Sequence, residues 1–328
     1  MNERHGQRAG DNRRSTPKAR LIVIAGPTAT GKTAVSVELA KALDGEIISA
    51  DSMQVYRHMS IGTAKVTAEE MEGVPHHLID VIEPSVPFSV AAYQRLADAA
   101  IMDITARGRL PILVGGTGLY IRSVIDELQF PAGELTSEIR ERLEARAAGV
   151  EPETLYEELL AKDPAAENII HPKNKRRIIR ALEVIELTGR PFSQFHRAWS
   201  DRSSRYELAM FGLTFERAFL HERIDRRVDK MVESGLLDEV RSLVDDGCEE
   251  FLTSRQAIGY KEIIRHLKGE MALEDAISTT KARTRQYAKR QLTWFRADPR
   301  VTWVDMTEKS AYAAAEEILV LLGKAALL

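Results

Sequence analysis

The chain has 328 residues, 44% of them hydrophobic and 29% charged, with a formal net charge of −3. That balance excludes a disordered chain, and the length allows one large core with a smaller insertion. The single cysteine, Cys248, excludes an internal disulfide framework and a cysteine-based zinc site, and points to a reducing cytoplasm.

Residues 1–20 are polar and basic and lack the apolar stretch of a secretory signal. They read as a disordered tail, with an RNA-touching arm as the alternative. An apolar, branched run at 21–25 reads as a buried parallel strand that stops at Gly26-Pro27. Val35, Leu39 and Leu43 give 33–43 a helical period ending at Asp44-Gly45. Strands are expected at 47–50, 78–82 and 110–114, with helices at 90–107 and 117–126. Strands alternating with helices imply an α/β fold, a doubly wound parallel sheet.

From 131 to 205 the strands stop, and helices are expected at 137–148, 152–161 and 173–188, the last ended by Gly189 and Pro191. A strand at 208–213, helices at 218–233, 236–245 and 273–296, a strand at 301–304 and a C-terminal helix complete the reading. The chain thus divides into the 1–20 tail, an α/β core of 21–130 and 206–328, and a helical insertion, 131–205. No apolar run is long enough to span a bilayer, so no membrane partner is expected.

Gly26-Pro27-Thr28-Ala29-Thr30-Gly31-Lys32-Thr33 fits G-x-x-x-x-G-K-[ST], placed after a strand and opening a helix, as a phosphate-binding P-loop requires. Backbone N–H groups of such a loop converge on phosphate oxygens, and the helix N-terminus adds partial positive charge. Lys32 supplies a mobile charge, and the Thr33 hydroxyl is a candidate Mg²⁺ ligand. The motif does not say which phosphate compound is held, and by itself it favours a nucleoside triphosphate. Asp51-Ser52-Met53-Gln54 follows the second strand at the sheet edge where doubly wound folds bind ligands. Asp51 is there a candidate general base or metal ligand, with a turn or helix cap as the structural alternative.

These segments, with 61–65 (IGTAK), Pro75-His76-His77, 114–119 (VGGTGL) and 256–261 (QAIGYK), resemble the tRNA dimethylallyltransferase family, also called tRNA isopentenyltransferases. The resemblance runs in the family's order from about residue 21 to about 296. It implies that the P-loop holds the diphosphate of dimethylallyl diphosphate, and that Asp51 is the base accepting a proton from the exocyclic amine of adenine. The implied target is the adenosine 3′ of the anticodon, extruded from the tRNA anticodon stem-loop, with Mg²⁺ on Thr33. It places Arg223 on the diphosphate, with a solvated helix face as the alternative, and Thr117 near the base, with helix capping as the alternative. Contact with tRNA is implied for Asp51, Ser52, Met53, Gln54, Thr117 and Arg140. It is implied also for Arg176, Arg177, Ile178, Ile179 and Arg180, and for Gln256, Ala257, Ile258, Gly259, Tyr260 and Lys261. A last group is Lys289, Arg290, Gln291, Trp294 and Arg296. Arg140 sits among Glu138, Glu141 and Glu144, so an ion pair competes with that role. Without a C-terminal Cys/His pattern, the chain resembles the family's compact bacterial form, with a monomer as the default state.

Charge distribution agrees with an RNA partner. Residues 171–205 hold nine Lys or Arg against Glu183, Glu186 and Asp201, and residues 281–300 hold seven against Asp298. Each segment has a surplus of six positive charges, which suits a phosphate backbone, although a solvated helix face would explain either one alone. Tyr287 and Trp294 lie among the second set at helical spacing, fit either for base stacking or for the core. The rival readings are a P-loop small-molecule kinase, a nucleotide-run RNA-binding switch and an adenylate isopentenyltransferase. The histidines lack the spacing or cysteine partners of a zinc site.

Overall fold

The computed structural model describes residues 18–126, 128, 130, 138–195, 202–247, 251 and 253–324. Residues 1–17 of the tail, 131–137 of the insertion and Cys248 lie outside the described residues. Six strands form one parallel sheet in the order β3-β2-β4-β1-β5-β6. They are β1 (Arg20–Ala25), β2 (Gly45–Ser49), β3 (His76–His77), β4 (Leu110–Gly115), β5 (Glu207–Thr214) and β6 (Val301–Asp305).

Two-residue alternation along β1 divides the core into two layers. Leu21, Val23 and Ala25 face a layer built with α3 (Val90–Ala106), α4 (Gly118–Ile125), α9 (Leu236–Asp245), α10 (Tyr260–Leu267) and α11 (Leu273–Arg296). Ile22 and Ile24 face the other, with α1 (Lys32–Leu43), α8 (Arg217–Glu233) and α12 (Ala311–Lys324). Burial on both faces is why these strands read as unbroken apolar runs. Among the described residues no helix is long and apolar enough to cross a membrane.

The strand expected at 78–82 is not formed. Leu78 and Asp80 have φ of 62° and 55°, the left-handed region that breaks extended pairing, and the Lys65 ammonium sits 2.5 Å from the Asp80 carboxylate. The edge strand is instead His76–His77, paired with Ile47 and Ile48. Its register is fixed by His77 Nε2, 2.7 Å from Glu46 Oε2, inside a cluster that also holds Arg107 and Arg109. A short helix absent from the sequence reading, α2 (Ala68–Met71), starts at a Thr67–Glu70 capping box.

Three helices of the insertion, α5 (Glu138–Ala148), α6 (Pro152–Lys162) and α7 (Lys175–Thr188), bury their own apolar cluster, including Leu143, Leu155, Leu159, Ile178 and Leu182. Helix α7 starts two residues later than expected because Asn174 caps it, accepting from Arg177 N at 3.2 Å. Where the insertion returns to the sheet, the Arg300 guanidinium donates to Asp126 at 2.6 Å and to Arg202 O at 2.9 Å.

Candidate active site

A cavity of about 380 Å³ opens at the carboxyl ends of β1, β2 and β4. The P-loop forms its floor. Gly26 has φ +145°, and a Cβ there would lie 2.6 Å from Leu213 O of β5, so only glycine lets the loop leave β1 this close to the sheet. Ala29 and Gly31 also take positive φ, 66° and 84°. The loop is closed from within, with Thr30 Oγ1 and Lys32 Nζ donating to Pro27 O at 2.8 and 2.7 Å. Thr28 N donates to Gln291 Oε1 at 2.9 Å. The backbone N–H groups of Ala29, Thr30, Gly31, Lys32 and Thr33 have no acceptor among the described residues. Five consecutive unpaired donors at a helix N-terminus form an anion cradle.

Opposite the cradle, β2 ends in the Asp51 turn. Asp51 Oδ1 accepts from Met53 N at 2.8 Å and Gln54 N at 3.3 Å, while Oδ2 has no hydrogen bond among the described residues. The structural and chemical roles thus fall on different oxygens: one anchors the turn, and the other is left for a ligand. Thr117 does not cap α4. Its hydroxyl accepts from Ser52 N at 3.2 Å, bracing the Asp51 turn. Gln291, which is 6% exposed, spans the site and donates from Nε2 to Gly116 O at 3.0 Å. A Cβ on Gly116 would fall 2.1 Å from that nitrogen, so this glycine makes room for the amide.

Two cations face the cradle. Lys32 is pushed down to about 7 by burial and by the Arg227 charge, with Asp51 opposing the shift. Arg227 is lowered as well, chiefly by burial. Two positive groups held together, with Asp51 offsetting them only in part, prepare a site for a polyanion. Arg227 lines the cavity and donates from Nη2 to Thr63 O at 3.3 Å, beside Gln54 Nε2 on the same carbonyl at the same distance. The family resemblance places Arg223 of this helix on the diphosphate, with a solvated helix face as the alternative. Arg223 instead donates from Nε to Ala29 O at 2.9 Å and lies 4.8 Å over the Phe215 ring, bracing the P-loop outside the cavity lining. His76 also lines the cavity. Its Nδ1 is 2.9 Å from Val74 O, and its Nε2 is buried without a partner among the described residues.

Of the residues expected to meet tRNA, Asp51, Ser52, Met53, Gln54, Gln256, Ala257, Ile258, Arg290 and Gln291 line this cavity together with Tyr287. Others do not present their side chains. Ile178 and Ile179 are core residues of the insertion, 0% and 8% exposed, because α7 turns that face inward. Tyr260 is 1% exposed, its ring against Gly62 and its hydroxyl on Glu239. Gly259 donates to Glu262 Oε2 at 2.7 Å and serves as a helix start. Arg140 pairs with Glu144 and Glu183, and Arg180 with Glu183. Arg176, Arg177, Lys261, Lys289 and Arg296 are exposed and have no carboxylate partner among the described residues. Trp294 is 41% exposed and packs edge-on where a Cβ on Gly118 would stand. It is a surface aromatic at the end of α4, whereas Tyr287 belongs to the cavity and carries the Arg290 guanidinium 5.6 Å from its ring centre.

The family model for IPP transferase matches residues 54–298. The chain belongs to the IPP transferase family. A tRNA dimethylallyltransferase of Halalkalibacterium halodurans is 54% identical over 293 residues, covering 89% of this chain and 92% of that one. The crystal structure of the full-length tRNA isopentenylpyrophosphate transferase of Bacillus halodurans matches with a TM-score of 0.70 at 51% identity, over 94% of this chain and 96% of that chain. A eukaryotic dimethylallyltransferase acting on tRNA matches with a TM-score of 0.78 at 29% identity, over 93% and 79% of the two chains.

Arg227 and the bridging role of Gln291 were missed in this family member's sequence, though each left a trace. Leu220, Ile224 and Val228 make the buried stripe of α8, and Arg227 sits three residues after Ile224 at its edge. Gln291 lies between buried Ala288 and Phe295 at helical spacing. A polar side chain inside an apolar stripe has to be satisfied by something specific.

Proposed function

We propose that this member of the IPP transferase family transfers a dimethylallyl group from dimethylallyl diphosphate to the N6 amine of the adenosine 3′ of the anticodon in tRNA. The observation that carries the reading is one cavity holding unpaired P-loop amides, the cations Lys32, Arg227 and Arg290 and, among the described residues, a single free carboxylate oxygen. Its support comes from relatives called tRNA dimethylallyltransferases across nearly the whole chain.

In this reading the diphosphate lies on the 29–33 amides between Lys32 and Arg227. The N6 lone pair of adenine is delocalised into the ring, so the amine is a poor nucleophile. Asp51 Oδ2 accepts its N–H, orients the lone pair and takes the proton as the C–N bond forms at the allylic carbon. The C–O bond breaks at the same carbon, and its electron pair leaves on the diphosphate, where the amides and both cations stabilise the charge. The base must leave its stack to reach the cavity, and an unpaired loop position makes that cheap. Gln256, Ile258, Tyr287 and Arg290 are the lining groups available to hold it.

Among the described residues there is no group of three or more His, Cys, Asp or Glu that could hold a metal. A magnesium ion held mainly by phosphate oxygens and water needs few protein ligands, and the exposed Thr33 hydroxyl in the first turn of α1 fits that need. When bound there it would screen the diphosphate charge. The cytoplasm is part of the same proposal, supported by the tRNA substrate of the relatives.

The test is a transfer assay with radiolabelled dimethylallyl diphosphate, Mg²⁺ and unmodified tRNA whose anticodon is followed by adenosine. Label should enter that nucleotide. Label on free AMP but not on tRNA would replace the reading with an adenylate isopentenyltransferase, and phosphoryl transfer from ATP would replace it with a kinase.

A further inference from the structure

The segment 60–64 forms a wall of the cavity through Gly62, Thr63 and Ala64. It is a turn closed from within, by Ala64 N on Ile61 O at 2.9 Å and Thr63 Oγ1 on Met59 O at 2.6 Å. A further hold comes from α9. Glu239 Oε2 accepts from Ser60 N at 2.8 Å and Ile61 N at 2.7 Å, and Oε1 accepts from Gly62 N at 3.0 Å and from the Tyr260 hydroxyl at 2.6 Å. Three successive amides converging on one anion is the arrangement by which loops usually bind phosphate. Here the protein supplies the anion itself, so this turn is locked and the ligand is left to the P-loop.

The lock extends into the site. A Cβ on Gly62 would stand 2.4 Å from the Tyr260 ring, so the turn is pressed onto α10. The next carbonyl, Thr63 O, receives both Arg227 Nη2 and Gln54 Nε2 at 3.3 Å. Gln54 N in turn donates to Asp51 Oδ1 at 3.3 Å. One carboxylate outside the cavity lining therefore helps set the carbonyl that orients a cation of the cradle, by holding the three amides that precede it.

We propose that Glu239 is a positioning residue for the diphosphate: by holding the 60–62 amides it fixes Thr63 O and so aims Arg227 across the P-loop. Glu239 touches no substrate and acts through Arg227. The inference rests on the diphosphate reading above, and the experiment separates the two.

Inorganic pyrophosphate with Mg²⁺ is titrated calorimetrically into the wild type, Glu239→Ala and Glu239→Gln, and tRNA affinity is measured on the same preparations without donor. The wild type binds pyrophosphate. In Glu239→Ala its Kd, and the KM for dimethylallyl diphosphate, rise about tenfold. In the same variant kcat falls as well, because Arg227 also stabilises the charge that develops on the leaving diphosphate, whereas the tRNA Kd stays within about twofold. Glu239→Gln falls between, because the amide oxygen still accepts two N–H groups while its NH₂ cannot accept the third. An unchanged pyrophosphate Kd in folded Glu239→Ala overturns the inference, as does an equal loss of tRNA affinity. If the alanine variant does not fold, Glu239→Gln decides: an unchanged Kd overturns the inference and a raised Kd with normal tRNA binding supports it. A wild type that ignores pyrophosphate defeats the diphosphate reading, whatever the variants do.

Discussion

Replacing Arg227 with glutamine should weaken diphosphate binding most at low pH and least at high pH. In the free protein Lys32 is pushed down to about 7, by burial first and by Arg227 second. A diphosphate restores the charge, so binding above about 7 requires Lys32 to take up a proton. Each pH unit above that point costs about 1.4 kcal/mol, or tenfold in affinity, and below it Lys32 imposes no cost. Glutamine removes one cation, which weakens binding roughly tenfold at pH 6.5, where Lys32 is mostly charged in either protein. It also removes part of what depresses Lys32, so the variant's downturn begins at higher pH. The ratio of wild-type to variant affinity should therefore shrink between pH 6.5 and 8.5. Calorimetry with pyrophosphate measures it, and the ligand's own titration cancels in the ratio. Lys32→Arg provides the control, because a guanidinium stays charged throughout, and its affinity should lack the component of the decline due to Lys32. A wild-type to Arg227→Gln ratio that is constant or widens with pH refutes the reasoning.

Asp51→Asn keeps an oxygen for Met53 N and Gln54 N but loses the base, so kcat should fall about 10²- to 10⁴-fold with tRNA affinity, read by filter binding, little changed. Glu46 is held down at about 2, first by its hydrogen bond to Arg107 and also by His77. A depressed carboxylate stabilises the fold fully above its unfolded value near 4.5 and loses that contribution as pH falls toward about 2. Denaturant melts of wild type and Glu46→Gln should accordingly converge as pH drops from 5 to 2. Lys289→Ala and Arg176→Ala, both at exposed cations, should each reduce the slope of log affinity for tRNA against log salt by somewhat under one, about 0.7 to 0.9, leaving pyrophosphate binding intact.

Legibility in the sequence followed locality. The P-loop is eight consecutive residues whose function is set by their own backbone, so its place, its helix and its amides could be read directly. The buried strands were equally plain, because a parallel sheet covered on both faces leaves uninterrupted apolar runs. The stretch 78–82 misled for the same reason: Leu78 and Ile82 are apolar, but left-handed φ at Leu78 and Asp80 belongs to a turn tied by Lys65, a partner thirteen residues away from Leu78. The cavity's far wall was the least legible. Arg223, Arg226 and Arg227 differ by a few steps around one helix, and only packing against the P-loop decides which one enters. Net charge over-counts the unpaired cations of 281–300 in a similar way, since Lys281, Arg283, Arg285 and Arg300 are engaged by Asp229, Glu262, Asp225 and Asp126 from other elements.

The separate apolar cluster of α5, α6 and α7 has an evolutionary consequence. Because those helices satisfy themselves, drift in their outward residues is not transmitted to the sheet or to the diphosphate cradle. That module can therefore be rewritten by a lineage while the cradle and its facing carboxylate are inherited unaltered.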